Sequence, residues 1–167
     1  NQPKVAIALG PAGLASSDCR APIEGHALLG EVVQASIAGA LSGILEHDYR
    51  LRLNPSDPPS HSVHHGRVAA RRLRSDLKTL GPVLASDWTV HIRTELKWLG
   101  EVFGKVRDAD VLGGHLADAR VAHPEDAEGI DELKQRLAHQ RQAASRHLAE
   151  ALASDRYFDI LDRLNTA

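Results

Sequence analysis

Apolar side chains return along this chain at helical intervals. From Gly25, the residues Leu28, Leu29, Val32, Val33, Ile37, Ala40, Leu41, Ile44 and Leu45 recur at steps of three and four, the period of one buried helix face. Gly30, Gly39 and Gly43 weaken this helix but let a neighbour approach closely. The segment NPSDPPS at 54–60 ends it, since three prolines in seven residues cannot continue a helix. Ser60 or Ser62 is placed to cap a second helix that runs to about Leu84, with Ala69, Ala70, Leu73, Leu77, Leu80 and Leu84 on one face. Gly81-Pro82 marks its end or a kink. Ser86 and Asp87 offer the next cap. A third helix follows, its apolar side being Ile92, Leu96, Leu99, Val102, Phe103 and Val106, and Gly104 is expected to bend it. Residues 122–126, with Pro124, read as a loop. A fourth helix spans about Glu128 to Ala153, with Leu133, Leu137, Ala144, Leu148 and Leu152 on one side. Asp155 then opens a short helix through Tyr157, Ile160, Leu161 and Leu164. No stretch alternates as a strand does. The expected fold is all-α, an antiparallel four-helix bundle over residues 25–154, with 1–24 a linker or tail and 155–167 the start of a further helix.

Composition narrows the function classes. A chain of 167 residues can bury a proper core. Its formal net charge of −2 argues against coating nucleic acid through bulk charge. The charge is unevenly spread: Asp108 to Glu132 holds eight acidic residues and one basic residue, Arg120. Cys19 is the only cysteine, so no internal disulfide forms and no cysteine-rich zinc site exists, which fits a reducing cytoplasm. No apolar run is long enough to span a bilayer, and no secretory signal is evident. The chain contains no methionine, so it is expected to be a piece of a longer protein.

Charge becomes informative on the second and third helices. With His64 set at zero, Arg67, Arg71, Arg74 and Lys78 fall within about 80° on one side of it. Asp76 falls outside this stripe and Arg72 points elsewhere. On the third helix, Arg93, Lys97 and Arg107 share a face with Gly100 and Gly104. An ordinary solvated face would mix both signs of charge. Two cationic stripes packed together repel unless an anion lies between them.

Other chemistries fit less well. His61, His64 and His65 have a usable zinc spacing on a helix, but no carboxylate or cysteine in that segment completes a site, so no metal and no cofactor is expected. His64 with Arg67 has the spacing of a histidine phosphotransfer bundle, a signalling alternative that needs no large cationic surface. Nucleic-acid backbone binding is a second alternative, but Trp88 and Trp98 sit near or on the apolar side rather than forming a stacking platform. There is no glycine-rich phosphate loop, no nucleophile with a base and no carboxylate pair in a basic setting. Catalysis is therefore not expected.

The segment VHHGRVAARRLRSDLKTLGPVL resembles the signature of the CHAD domain, the conserved-histidine α-helical domain, roughly V-H-x-x-R-V-A-x-R-R-L-R. Val63, His64, Arg67, Val68, Ala69, Arg71, Arg72, Leu73 and Arg74 fit it. ELKWLGEVFGKVRDADVL at 95–112 and ALASDRYFDIL at 151–161 resemble its second and third blocks. The resemblance covers about Leu28 to Leu164. It implies an all-helical domain of two similar four-helix halves that binds inorganic polyphosphate, is found in the cytoplasm at polyphosphate granules, and often follows a CYTH triphosphatase-like domain. This chain would hold the first half and the opening helix of the second, with the rest supplied by a missing segment or by self-association. On that reading Arg67, Arg71, Arg74 and Lys78 line one wall of the site, with Arg93, Lys97 and Arg107 on the other. His64 stands at the head and Arg141 at the edge. Gly66, where a larger apolar residue is expected, is read as weakening the first turn of its helix.

Overall fold

The computed structural model of the chain describes residues 29–84 and 87–167. The tail at 1–24, Cys19, the first residues of the first predicted helix and Ser86 lie outside them. The described residues form an all-α bundle: α1 (Leu29–Leu53), α2 (Ser60–Leu84), α3 (Asp87–Ala122), a 3-10 turn (Pro124–Asp126), α4 (Ala127–Leu152) and α5 (Asp155–Asn165). Consecutive long helices pack on one another, α1 on α2, α2 on α3 and α3 on α4, while α5 touches α1, α3 and α4. No helix among the described residues is long and apolar enough to cross a membrane.

The core is built from the periodic faces. Ile37, Ile44, Val63, Leu73, Leu77, Ile92, Leu96, Leu99, Val106, Leu148 and Leu152 are buried together, each side chain such as leucine contributing about 1.5–3 kcal/mol when withdrawn from water. Two close approaches set the helix spacing. A Cβ on Gly43 would lie 3.3 Å from the Ala69 Cβ. A Cβ on Gly66 would lie 2.6 Å from Cζ of Phe103, a core residue 1% exposed. Gly66 thus admits an aromatic ring of α3 against the backbone of α2, rather than loosening that turn.

Helix α2 stops at Leu84, the expected end, after passing Gly81 and Pro82; proline has no N–H to offer the Lys78 carbonyl, and the helix closes two residues later. Two other features differ from expectation. Helix α3 runs unbroken for 36 residues through Gly104. Gly104 is buried where the Arg67 guanidinium crosses it, a Cβ there lying 3.4 Å from Arg67 Nε. Leu133 is 50% exposed on α4 and does not join the core. At the start of α5 the Ser154 hydroxyl accepts from the Tyr157 N–H at 3.3 Å, an N-cap.

Polar clamps tie the helices where the core thins. Arg52 on α1 donates to Asp48 Oδ2 at 2.6 Å and to the Leu152 carbonyl at 2.7 Å, and its guanidinium lies over the Tyr157 and Phe158 rings. The Tyr157 hydroxyl donates to Asp48 Oδ1 at 3.0 Å. Burial, reinforced by the Asp48 charge, pushes this phenol well above its ordinary range. Arg156 of α5 grips Glu95 of α3 with two hydrogen bonds and stacks 4.2 Å from the Trp98 ring centroid.

Candidate anion-binding groove

Helices α2 and α3 leave between them an open groove of about 870 Å³. Arg71, Arg74 and Lys78 line it from α2, and Arg93 and Lys97 from α3. Arg72 also lines it, although its helical angle separates it from the stripe. A long arginine covers more than its own arc of a helix, so the groove collects side chains from both edges. Asp76 lines it too, contrary to the expectation of a surface free of acid. Its carboxylate accepts a 2.6 Å hydrogen bond from the Ser36 hydroxyl of α1.

Among the described residues, the cations of the groove outnumber its one carboxylate six to one. Among the described residues, Lys97 alone of the six has an ion pair, with Glu101 at 3.7 Å, and both members are largely exposed. Such a pair is worth ~0–1 kcal/mol. Arg71, Arg72, Arg74, Lys78 and Arg93 have no carboxylate of the described residues within ion-pair distance. The Nε of Arg93 is buried and makes no hydrogen bond, a state that costs about 1–3 kcal/mol until a partner arrives.

The other predicted site residues fall in two places. His64, Arg67 and Arg107 gather on the stretch toward the start of α2. Desolvation first, then the Arg107 charge, lowers the pKa of His64, and Arg67 adds to this. Arg107 Nη1 donates to Ser60 Oγ at 3.0 Å, and Arg67 Nε is buried without a partner. Arg141 stands apart from both groups. Its Nε donates to Asp110 at 2.6 Å, its Nη1 to Asp57 and its Nη2 to the Pro58 carbonyl at 3.1 Å. The guanidinium is spent on tying α4 to α3 and to the α1–α2 connection, so we leave Arg141 out of the site. Asp110 belongs to that clamp.

Two features escaped the sequence pattern. Arg72 and Asp76 belong to the groove for reasons visible only once α2 and α3 are laid together. His61 and His65 turn toward α1, where they meet His47. The signal for His47 was present in the period: it continues the buried face Ile37, Ala40, Leu41, Ile44, and so must face a neighbour.

Comparison with known proteins places this geometry. The sequence profile of the CHAD domain matches residues 35–167. Two uncharacterized proteins of Mycobacterium tuberculosis, from strains H37Rv and CDC 1551, are each 30% identical over 138 residues, covering 80% of this chain. The chain spans 26% of the length of each. No solved structure matches it significantly. The profile takes in α2, α3, α4 and α5 whole, together with the three sequence blocks they carry, and on that match the chain belongs to the CHAD-domain family.

Proposed function

We propose that this chain binds inorganic polyphosphate, without catalysing a reaction, in the groove between α2 and α3. The observation that carries this reading is the set of unpaired cations: Arg71, Arg72, Arg74, Lys78 and Arg93 face one groove whose described lining includes a single carboxylate, Asp76, and none of them forms an ion pair among the described residues. A linear polyanion with closely spaced charges is the ligand such a row suits. Guanidinium forks make two-point contacts with phosphate oxygens and lysine adds a point charge. Two rigid helices hold the donors in place before the ligand arrives, so little ordering is lost on binding. Arg67, Arg107 and His64 extend the track beyond the groove. The family resemblance favours polyphosphate among polyanions. It also includes a second four-helix unit, from a longer chain or another copy, that would widen the surface, and a place at polyphosphate granules in the cytoplasm.

The absence of a stacking platform weighs against nucleic acid. Trp88 and Trp98 are partly buried against the core, Arg156 lies over the Trp98 ring, and among the described residues no aromatic ring lines the groove. The phosphotransfer alternative needs one free histidine, whereas this groove offers six cations.

The test is a calorimetric titration of the chain with long-chain polyphosphate, and with duplex DNA at matched phosphate, across a salt series. Saturable polyphosphate binding with a steep salt slope, and DNA binding at least about tenfold weaker, supports the reading. Equal affinity for both polymers, or no binding by folded protein, contradicts it.

A further inference from the structure

His47, His61 and His65 form a cluster that the groove does not use. His61 and His65 are one helical turn apart on α2, with ring centroids 4.1 Å apart. His47 comes from α1, its ring centroid 5.5 Å from His61 and 4.9 Å from His65. The proline-rich connection after α1 turns the chain back tightly enough to bring these helix ends together. One nitrogen from each ring lies within 4.8 Å of the others. His47 is 6% exposed, and its Nδ1 is buried with no hydrogen-bond partner. The other two rings are exposed, so the cluster is closed on the core side and open toward solvent.

Three imidazoles in mutual contact need a reason. A buried ring nitrogen without a partner costs about 1–3 kcal/mol. A divalent ion bound among the three rings would remove that penalty, since it takes one nitrogen lone pair from each neutral ring. We infer that His47, His61 and His65 are the protein ligands of a site for a borderline transition-metal ion, zinc above all, with water or an anion oxygen in the fourth position.

The donor set selects the ion. Imidazole nitrogens suit zinc, copper and nickel. Magnesium and calcium need oxygen donors, and no carboxylate belongs to this set. Three protein ligands and one open position is the pattern of an accessible zinc site rather than a closed structural one. With zinc–nitrogen bonds of ~2.0–2.1 Å, tetrahedral ligand nitrogens lie about 3.3 Å apart. The ligand nitrogens must therefore close by up to about 1.5 Å, which the exposed His61 and His65 can do by side-chain rotation while His47 stays fixed. A second grouping, His123, Glu125 and Asp126, has neither a buried member nor an orphaned nitrogen and serves as the control. The inference does not depend on polyphosphate binding.

The test uses the chain without a histidine tag, stripped of metal. Zinc is titrated by calorimetry, the melting temperature is followed with and without zinc, and cobalt(II) serves as a spectroscopic probe. The expected result is one zinc per chain, a rise in melting temperature and the intense visible bands of four-coordinate cobalt. His61→Ala and His65→Ala, both at exposed positions, should each weaken zinc at least about tenfold with unchanged circular dichroism. His123→Ala should leave affinity unchanged. The inference is overturned by the absence of saturable one-to-one binding, by a six-coordinate cobalt spectrum, or by zinc affinity that survives both variants or depends on His123.

Discussion

The arginines of the α2–α3 groove and those at the ends of the bundle differ in partners, not in type. At the ends, Arg141 and Arg156 bind carboxylates on other elements, Arg52 binds Asp48 within its own helix, and Arg52 and Arg141 each reach a backbone carbonyl of another element as well. In the groove, Arg71, Arg72, Arg74 and Arg93 form no ion pair among the described residues and share the lining with Lys78, Lys97 and Asp76, whose carboxylate accepts from Ser36. Paired arginines hold the fold together; unpaired ones facing a common groove are available to an external anion. Net charge hides this distinction, because a chain at −2 contains both kinds.

The largest effect should come from breaking the paired end. In Arg52→Ala, Asp48 stays buried and keeps only the Tyr157 hydroxyl, which should destabilise the protein by about 2–3 kcal/mol. Chemical denaturation would measure this, and polyphosphate affinity of the folded fraction should not change. Gly66→Ala connects the two regions. The new methyl group would collide with the Phe103 ring, forcing α2 and α3 apart at a cost of about 1–3 kcal/mol. Because the same two helices form the groove walls, this variant should lose affinity as well as stability. A drop in stability with unchanged binding would show that groove width is unimportant.

A smaller effect should appear with pH. The Arg156 hydrogen bonds lower the Glu95 pKa below its ordinary value of about 4.5. A carboxylate depressed in the folded state contributes stability above its unfolded value, and that stability is lost as pH falls through the folded value. The melting-temperature gap between wild type and Glu95→Gln should therefore be full above about pH 5 and close in more acidic solution. The pair is half exposed on the arginine side, so the gap should stay below about 1 kcal/mol.

Helix by helix, much of the fold was legible. The segment at 54–60 and Asp155 placed their boundaries within a residue or two, because proline and capping chemistry act locally. What a single helix cannot reveal is its neighbour. Gly104 looked like a bend and is a berth for Arg67; Gly66 looked like a weakness and is a berth for Phe103. Leu133 fits the α4 period but lies beyond the reach of the core. The stripe angles on α2 excluded Arg72 and Asp76, since an angle about one axis takes no account of a second wall. Arg141 sat at the edge of an apolar seam, where its carboxylate partners on α3 and in the α1–α2 connection could not be foreseen.

The most direct measurement is a matched-charge comparison of polyphosphate affinity. Arg71→Gln/Arg93→Gln removes two groove cations, and Arg120→Gln/Arg136→Gln removes two cations paired elsewhere, with Asp131 and Glu132. Both doubles change net charge equally. If unpaired groove arginines hold the polyanion, the first double should weaken binding at least about tenfold, flatten the salt slope by about two and keep its melting temperature, while the second should bind as wild type does. Equal losses in the two doubles would mean that overall charge, and not the groove, governs binding.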